Sequence, residues 1–258
     1  MANQKLGQNF LIDKNIAIKI VKSLKPDCPI IIEIGPGKGI MTRLVSEFYN
    51  SMEIIAVEKD RRLFEKISEC KMSGVQCLNM DILKLDISEI TKNKNVTILG
   101  NIPYYISKDI IDWTIKNSGF IKKGTLMVQK EFFLKISSFA GSKLYNAQSV
   151  IFNHIFYVKK LFEVNPGSFF PSPKVISTVF SFEKKESCIN EIQIFRFYEL
   201  LKTAFAHRRK TLFNNLKNNY KKELILLFLK EKGIQSVIRA EDMNKNDLLG
   251  LFLSLHKI

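Results

Sequence analysis

The 258-residue sequence predicts an α/β fold: a mostly parallel sheet with one late antiparallel strand, followed by a small all-α C-terminal domain. Three observations predict it. Short apolar runs alternate with segments of helical spacing up to residue 182, which is typical of βαβ units. The first runs end in glycines or acids, as strands of open parallel sheets do where they bind ligands. Beyond residue 183 the apolar spacing is helical.

The elements are predicted in order along the chain. The first two apolar runs, at 30–34 and 53–57, have the length of buried strands. The segments after them, at 39–49 and 60–71, have apolar residues at helical spacing. Weaker strands are predicted at 74–79, 96–99 and 125–128, and a late strand at 175–182. Three or four helices should fill residues 192–256. We place the domain boundary so that the domains span 1–185 and 186–258.

The charge of the chain is strongly positive. Forty lysines and arginines stand against 25 aspartates and glutamates, for a formal net charge of +15. This excess favours a polyanionic partner such as nucleic acid, although a lysine-rich composition alone also produces it. The densest stretch lies between Glu199 and Glu223, which enclose seven basic residues and no acid.

Other classes of protein are disfavoured. No apolar run approaches the roughly 18 residues of a membrane helix, so we expect no membrane partner. The N-terminal segment lacks the apolar stretch that directs secretion, which predicts a cytoplasmic protein. Four cysteines without a C-x-x-C pair and three scattered histidines form no zinc pattern, so we expect no metal.

A glycine-rich loop, Glu33-Ile-Gly35-Pro-Gly37-Lys-Gly39, follows the first predicted strand. Its glycines allow a tight turn, and the helix after it offers free amide donors to a ligand. It matches neither the phosphate-binding P-loop nor the dinucleotide pattern G-x-G-x-x-G. The E-x-G-x-G-x-G form resembles motif I of S-adenosylmethionine (SAM) methyltransferases. The alternative is a structural turn in another doubly wound fold.

Two acids follow the next two predicted strands. Glu58 lies 21 residues after Gly37, where a carboxylate can accept hydrogen bonds from both ribose hydroxyls. Asp81 follows the third strand, where it can accept a hydrogen bond from an adenine amino group. Both would lie at the carboxyl edge of the sheet, where open α/β folds bind ligands. Together with Gly35 and Gly37, these acids predict a SAM site.

The segment after the fourth strand predicts the chemistry. An exocyclic aromatic amine is a poor nucleophile because its lone pair is delocalised into the ring. The Asn101 side-chain oxygen and the Ile102 backbone carbonyl can accept hydrogen bonds from its two N–H groups, while Pro103 fixes the loop. Tyr104 offers a face on which the base can stack. Catalysis would then rest on positioning and electrostatics, without a strong general base. The alternative is a polar turn that caps a helix near Ser107.

With these motifs in place, the sequence resembles the amino-methyltransferases that carry a [D/N]-[P/I/L]-P-[Y/F] motif. Within that group it is similar to the KsgA family of ribosomal RNA adenine dimethyltransferases. Tyr105 departs from the family, which often has asparagine there, and could alter access to the pocket. Six motifs in order carry the resemblance: Gln8-Asn-Phe-Leu11, Glu33-Ile-Gly-Pro-Gly37, Asn101-Ile-Pro-Tyr104, Val128-Gln-Lys-Glu131, Phe169-Phe-Pro-Ser-Pro-Lys-Val175 and Phe205-Ala-His-Arg-Arg-Lys-Thr-Leu212.

The resemblance implies roles for further residues. Asn9 and Leu11 would touch the cofactor beside Gly35, and Asn101 would lie between cofactor and substrate. Phe169 would cover the second face of a flipped adenine; without its motif it would be read as a core aromatic.

Basic residues are the predicted RNA contacts. Lys174 is either a phosphate contact or a surface charge. Arg208, Arg209 and Lys210 are expected on a helix. One of the two arginines should fall near its apolar stripe and pair with a carboxylate, while the neighbours face RNA.

The resemblance implies a Rossmann-like SAM methyltransferase domain at 1–185 and a helical RNA- or ribosome-binding domain at 186–258. The implied activity is N6,N6-dimethylation of two adjacent adenosines near the 3′ end of small-subunit (16S) ribosomal RNA. The substrate would be a pre-30S particle, and we expect a monomeric enzyme. The alternatives are an Erm-type enzyme acting on large-subunit RNA, a DNA adenine methyltransferase, and an assembly factor or RNA-binding protein on the same fold.

Overall fold

A computed structural model describes residues 9–256, which form two compact units. The first unit comprises residues 9–133 and 156–184, and the second comprises 134–155 and 185–256. Gln8 of the N-terminal motif lies outside the described residues. No helix within 9–256 is long and apolar enough to span a membrane.

The first unit carries all of the described strands. They are β1 (Phe10–Leu11), β2 (Ile30–Ile34), β3 (Glu53–Glu58), β4 (Val75–Asn79), β5 (Val96–Asn101), β6 (Ile121–Gln129), β7 (Phe156–Val164), β8 (Phe169–Phe170) and β9 (Ser177–Lys184). Its helices are α1 (Lys14–Ser23), α2 (Ile40–Phe48), α3 (Arg61–Glu69), α4 (Ile87–Thr91) and α5 (Ser107–Lys116).

Helices make up the regular structure of the second unit, and α6 (Lys130–Ile136) crosses from the first unit into it. The four helices α8 to α11 agree with the three or four predicted beyond residue 192. The helices after α6 are α7 (Ala147–Ile155), α8 (Glu191–Ala204), α9 (Leu212–Leu216), α10 (Lys222–Glu231) and α11 (Lys245–His256).

Seven strands form one sheet in the order β4-β3-β2-β5-β6-β9-β7. Strands β2 to β6 pair in parallel, and β9 is antiparallel to both β6 and β7. This confirms the predicted fold class. Ile34, at the end of β2, is in register with Val57 of β3 and Gly100 of β5. The strand order reverses at β2, so the loops after β2, β3 and β5 meet at one edge, where such sheets bind ligands.

The central strands are apolar because helices cover both faces of a parallel sheet. All five residues of β2 are buried, including Glu33. On one face, α1 and α2 pack together over the sheet through Ile20, Val21 and Val45, which are fully buried. Asp13 fixes the start of α1, since its side chain accepts hydrogen bonds from the first-turn amides of Asn15 and Ile16.

Three strands were not predicted. Strands β1 and β8 have two residues each, too few for a periodic signal. Strand β7 lies at the edge of the sheet, and its register shifts between Lys160 and Phe162. The extra residue breaks the alternation of apolar and polar positions that would reveal a strand.

The boundary of the helical unit differs from the predicted one. The chain does pass from the first unit to the second after residue 184, close to the predicted boundary. However, residues 134–155 also belong to the second unit, whereas the prediction placed them in the first domain. The reason is packing: α7 lies against α8, and the His154 ring meets Phe197 edge-on with centroids 5.7 Å apart. Burial lowers the pKa of His154 to about 4, so the ring is neutral in this contact.

The predicted helix through Arg208, Arg209 and Lys210 is wrong. Helix α8 ends at Ala204 and α9 begins at Leu212, so the three residues lie in the connecting segment. Thr211 caps α9 by accepting from the amide of Asn214, which fixes the end of that segment.

Candidate active site and cofactor pocket

A cavity of about 80 Å³ opens at the carboxyl edge of the sheet, inside the first unit. It brings together all of the predicted cofactor-binding residues except Asp81, together with Ile102, Pro103 and Tyr104. Its lining consists of Asn9, Phe10, Leu11, Gly35, Pro36, Gly37, Lys38, Ile40, Met41, Glu58, Asn101, Ile102, Pro103 and Tyr104.

The glycine loop is shaped by left-handed backbone angles. Gly35 and Gly37 have φ values of +62° and +61°, which side-chain-bearing residues rarely adopt. A Cβ atom on Gly37 would lie 3.1 Å from the Phe10 ring, whereas one on Gly35 would meet nothing within 4 Å. A side chain at Gly37 would therefore be strained and would crowd Phe10, whereas the space beside Gly35 forms a cradle that is open to a ligand.

Glu58 is held beside this cradle by two backbone amides. Gly37 N–H donates to Oε2 at 3.1 Å, and Asp60 N–H donates to Oε1 at 2.8 Å. Burial raises the pKa of Glu58, and the two amides oppose that rise. Each oxygen keeps a second lone pair, which suits acceptance of hydrogen bonds from a ribose diol.

Asp81 is placed differently from its prediction. It lies outside the lining of the cavity, and Lys59 Nζ donates to its Oδ2 at 2.8 Å. Its Oδ1 accepts from the amide of Leu83. Burial raises the pKa of Asp81, but the hydrogen bonds from Lys59 and Leu83 outweigh it, so the pKa is lowered. The contact of Asp81 with an adenine amino group remains a proposal.

Asn101 ends β5 at the floor of the cavity. Its Nδ2 donates to the backbone carbonyl of Asn9 at 3.2 Å. Because a carbonyl can only accept, this contact fixes which end of the amide is nitrogen. The oxygen Oδ1 is thereby left as an acceptor for a substrate amine.

The other residues of the Asn101–Tyr104 tetrapeptide are also held by hydrogen bonds. Ile102 N–H donates to the carbonyl of Met127 at 3.0 Å, and its side chain is buried. Pro103 precedes a short 3-10 turn, and its carbonyl accepts from Ile106. The Tyr104 hydroxyl lies 2.9 Å from Ser177 Oγ on β9. These anchors preorganise the loop, as a mechanism based on positioning requires.

The role expected of Phe169, covering one face of a flipped adenine, stays a prediction. Its side chain is 3% exposed and packs in the apolar core with Leu11, its partner in the β1–β8 pair. The exposed aromatic residue is its neighbour Phe170, at 62%. Side chains alternate between the two faces of a strand, so burial of one phenylalanine exposes the next.

The predicted RNA-binding residues are exposed but not equivalent. In the second unit, Arg208 forms an ion pair with Glu241 and donates to the Tyr145 carbonyl. This fits the expectation that one arginine pairs with a carboxylate. Arg209 and Lys210 are exposed and form no ion pair within residues 9–256. In the first unit, Lys174 lies exposed on the loop after β8.

With the geometry in place, comparison with known proteins gives the family. A family model described as "Ribosomal RNA adenine dimethylase" matches residues 1–257. The chain belongs to the ribosomal RNA adenine dimethylase family. This confirms the predicted family and enzyme class. It also confirms SAM as the cofactor, since dimethylases of this family are SAM-dependent.

Relatives of similar length carry the name ribosomal RNA small subunit methyltransferase A. The relative from Malacoplasma penetrans is 38% identical over 246 residues, covering 95% of this chain and 88% of the relative. That of Mycoplasmopsis pulmonis is 37% identical and covers 98% and 99%. That of Francisella tularensis subsp. novicida is 37% identical and covers 98% of both.

Two solved structures show the same fold. A dimethyladenosine transferase from Plasmodium falciparum aligns with a TM-score of 0.79 at 24% identity, covering 96% of this chain and 98% of that one. The 23S rRNA methyltransferase ErmE aligns with a TM-score of 0.71 at 22% identity, covering 96% and 100%. At such identities the likeness describes the fold and does not distinguish the two RNA targets.

Six residues of the dimethylase site were missed from sequence, including Pro36, Ile40 and Met41 of the cavity lining. Phe10 and Lys38 line the cavity, and Ser177 anchors Tyr104. Phe10 and Lys38 lie inside two of the quoted motifs, which was the available signal. Ser177 gave none, because its contact joins residues 73 positions apart.

Proposed function

We propose that this protein dimethylates the N6 amines of two adjacent adenosines near the 3′ end of small-subunit ribosomal RNA, acting on a pre-30S particle in the cytoplasm. One observation carries the proposal. The hydrogen bond to the Asn9 carbonyl orients the side-chain amide of Asn101, and this amide lines the same cavity as the glycine loop and Glu58. The small-subunit names of relatives at 37–38% identity support the choice of RNA.

The residues of the cavity fit the cofactor. SAM supplies an electrophilic methyl group on a sulfonium when it is bound. Glu58 would accept the ribose hydroxyls, while the open cradle at Gly35 and the side chains of Asn9 and Leu11 would surround the rest of the molecule. Asp81 would accept from the adenine amine, and Lys59 keeps its carboxylate in the charged form.

The tetrapeptide would position the target amine. Oδ1 of Asn101 and the carbonyl of Ile102 accept from its two N–H groups, which directs the lone pair away from the ring. The Tyr104 ring supports the base, and its hydroxyl is held by Ser177. Since the acceptors hold both N–H groups without removing a proton beforehand, the amine attacks neutral and loses its proton afterwards.

The second unit would hold the RNA. Arg209, Lys210 and, on the first unit, Lys174 are exposed cations without ion pairs among the described residues. Arg208 would support Arg209 and Lys210 by fixing the segment between α8 and α9. We expect the protein to act as a monomer, without a metal ion.

Mass spectrometry of ribosomal RNA methylated with isotope-labelled SAM tests this function. Unmethylated 30S and 50S particles are offered separately. We expect label on two adjacent adenosines near the 3′ end of the small-subunit RNA. Label on 50S particles alone would point to an Erm-type activity. If neither particle is labelled while the protein still binds the particle, the result would point to an assembly or RNA-binding role.

A further inference from the structure

A second cavity of about 800 Å³ lies beside the cofactor cavity in the first unit. Phe10, Gly37 and Lys38 line both cavities, so the two are adjacent. The far side of the second cavity is formed by residues of α2 and α3, including Arg43 and Lys66. Its volume falls within the roughly 300–1,000 Å³ of ordinary ligand pockets. None of the roles described above uses it.

An aromatic wall separates the two cavities. Phe10 of β1 stands opposite Phe170 of β8 in the antiparallel register. The ammonium of Lys38 lies 5.0 Å from the centroid of the Phe10 ring and 5.8 Å from that of Phe170. Phe170 also lines the second cavity and is 62% exposed. An exposed ring next to a cation suits a nucleobase, which stacks on the ring, and its phosphate, which pairs with the cation.

The acids of the second cavity are largely neutralised. Asp60 is paired with Arg62, and Glu65 is paired with Arg61. Of the three acids in the lining, only Glu69 has no ion pair within residues 9–256.

Three cations of the lining have no carboxylate partner among the described residues, although Arg43 Nη2 donates to Cys70 Sγ at 3.6 Å. Lys38, Arg43 and Lys66 form no ion pair with any carboxylate among residues 9–256. Three such cations against one acid give the cavity a net positive charge, which favours an anionic ligand.

We propose that the second cavity binds the nucleotide next to the target adenosine, with its base stacked on Phe170 and its phosphate on Lys38. This inference rests on the proposed function, in which two adjacent adenosines are methylated. While one adenosine occupies the cofactor cavity, its neighbour loses a stacking partner in the RNA, and an exposed aromatic ring can replace that contact. Because the two cavities share the wall of Phe10 and Lys38, consecutive nucleotides of one strand can fill both.

Steady-state kinetics of Phe170→Ala on unmethylated 30S particles test the inference. Loss of a stacking ring should raise the KM for the particle about tenfold or more, with kcat within about twofold of the unaltered protein. Phe170→Tyr keeps the ring and should restore the original KM. Phe195→Ala serves as the matched control, because Phe195 is 57% exposed on α8, remote in sequence from both cavities, and should leave the KM unchanged.

Two further measurements separate the alternatives. The dissociation constant for SAM, measured by calorimetry, should be the same in Phe170→Ala and the unaltered protein. Lys38→Gln should reduce the slope of log affinity for the particle against log salt by about 0.7, the value for one phosphate contact to single-stranded RNA; an unchanged slope would overturn the phosphate contact.

The outcomes distinguish this inference from the proposed function. An unchanged KM in Phe170→Ala, while the unaltered protein methylates both adenosines, would overturn the subsite alone. Weaker SAM binding at unchanged KM would overturn it too, by showing that the β1–β8 pair is a cover for the cofactor. Failure of the unaltered protein to methylate small-subunit RNA would overturn the proposed function, and the subsite with it.

Discussion

Asn101 Nδ2 donates a hydrogen bond to the backbone carbonyl of Asn9, across 3.2 Å of space and 92 residues of sequence. The contact ties the N-terminal motif to the tetrapeptide at the end of β5. It also decides the direction of the side-chain amide, so that its oxygen is the end available to the target amine. The N-terminal motif thus contributes to the orientation of the catalytic side chain as well as to the cofactor pocket.

Replacing Asn101 tests the positioning role. In Asn101→Ala the acceptor is lost, and we expect turnover to fall about 10²-fold or more, with little change in SAM affinity. Asn101→Asp keeps an acceptor but opposes a second oxygen to the Asn9 carbonyl, so its turnover should fall as well. Single-turnover methylation of 30S particles measures both variants. Near-normal turnover in Asn101→Ala would remove Asn101 from the mechanism.

Replacing Glu58 tests the cofactor site. Glu58→Gln exchanges one of the two oxygens that accept from Gly37 and Asp60 for an N–H donor. We expect SAM binding to weaken about 10- to 100-fold, the range for loss of a hydrogen bond to a charged group. Calorimetry with SAM gives the dissociation constant directly. Glu89→Gln, at an exposed position on α4, is the control and should bind SAM normally.

The buried carboxyl of Glu33 predicts how stability depends on pH. Burial raises its pKa from 4.5 to about 7 in the folded protein. The folded state therefore binds its proton more tightly than the unfolded state, and stability falls as the pH rises from about 4.5 to 7. This difference in pKa corresponds to a loss of about 3 kcal/mol in the free energy of unfolding once the carboxyl is ionised in both states.

Glu33→Gln should remove this pH dependence. Denaturant unfolding at pH 5 and pH 8 measures it, with Glu89→Gln as the exposed control. We expect the free energy of unfolding of the unaltered protein to drop between these values by more than that of Glu33→Gln. Equal drops in the two proteins would show that Glu33 is ionised at neutral pH.

The parts of the site that are local in sequence were predictable. The glycine loop and the Asn101–Tyr104 segment each follow a strand, and their chemistry depends on neighbouring residues. Phe169 and Phe170 show the opposite case. Two consecutive phenylalanines on a strand face opposite sides, and only the pairing of Phe169 with Leu11 decides which one enters the core. Such a pairing joins distant segments and leaves no periodic signal.

The helical unit shows a similar limit. The late helices were predicted from apolar spacing, but the membership of residues 134–155 depends on contacts with residues far along the chain. Gly141 N–H donates to the Glu241 carbonyl, and Arg208 donates to the Tyr145 carbonyl. Arg208 thus has a structural role that a basic run by itself does not reveal.

The difference between Arg208 and its neighbours gives a final prediction. Arg208→Ala removes an ion pair and a hydrogen bond within the second unit, so it should lower the melting temperature by about 2–4 °C. Arg209→Ala removes an exposed cation and should leave the melting temperature unchanged. It should instead remove one phosphate contact, which would reduce the slope of log affinity for 30S particles against log salt by about 0.7–0.9. Thermal unfolding and salt-dependent binding are measured on both variants, with SAM affinity, expected to be insensitive to salt, as the internal reference. If Arg209→Ala leaves the slope as it was, the basic segment does not contact the RNA backbone, and the charge excess there is only composition.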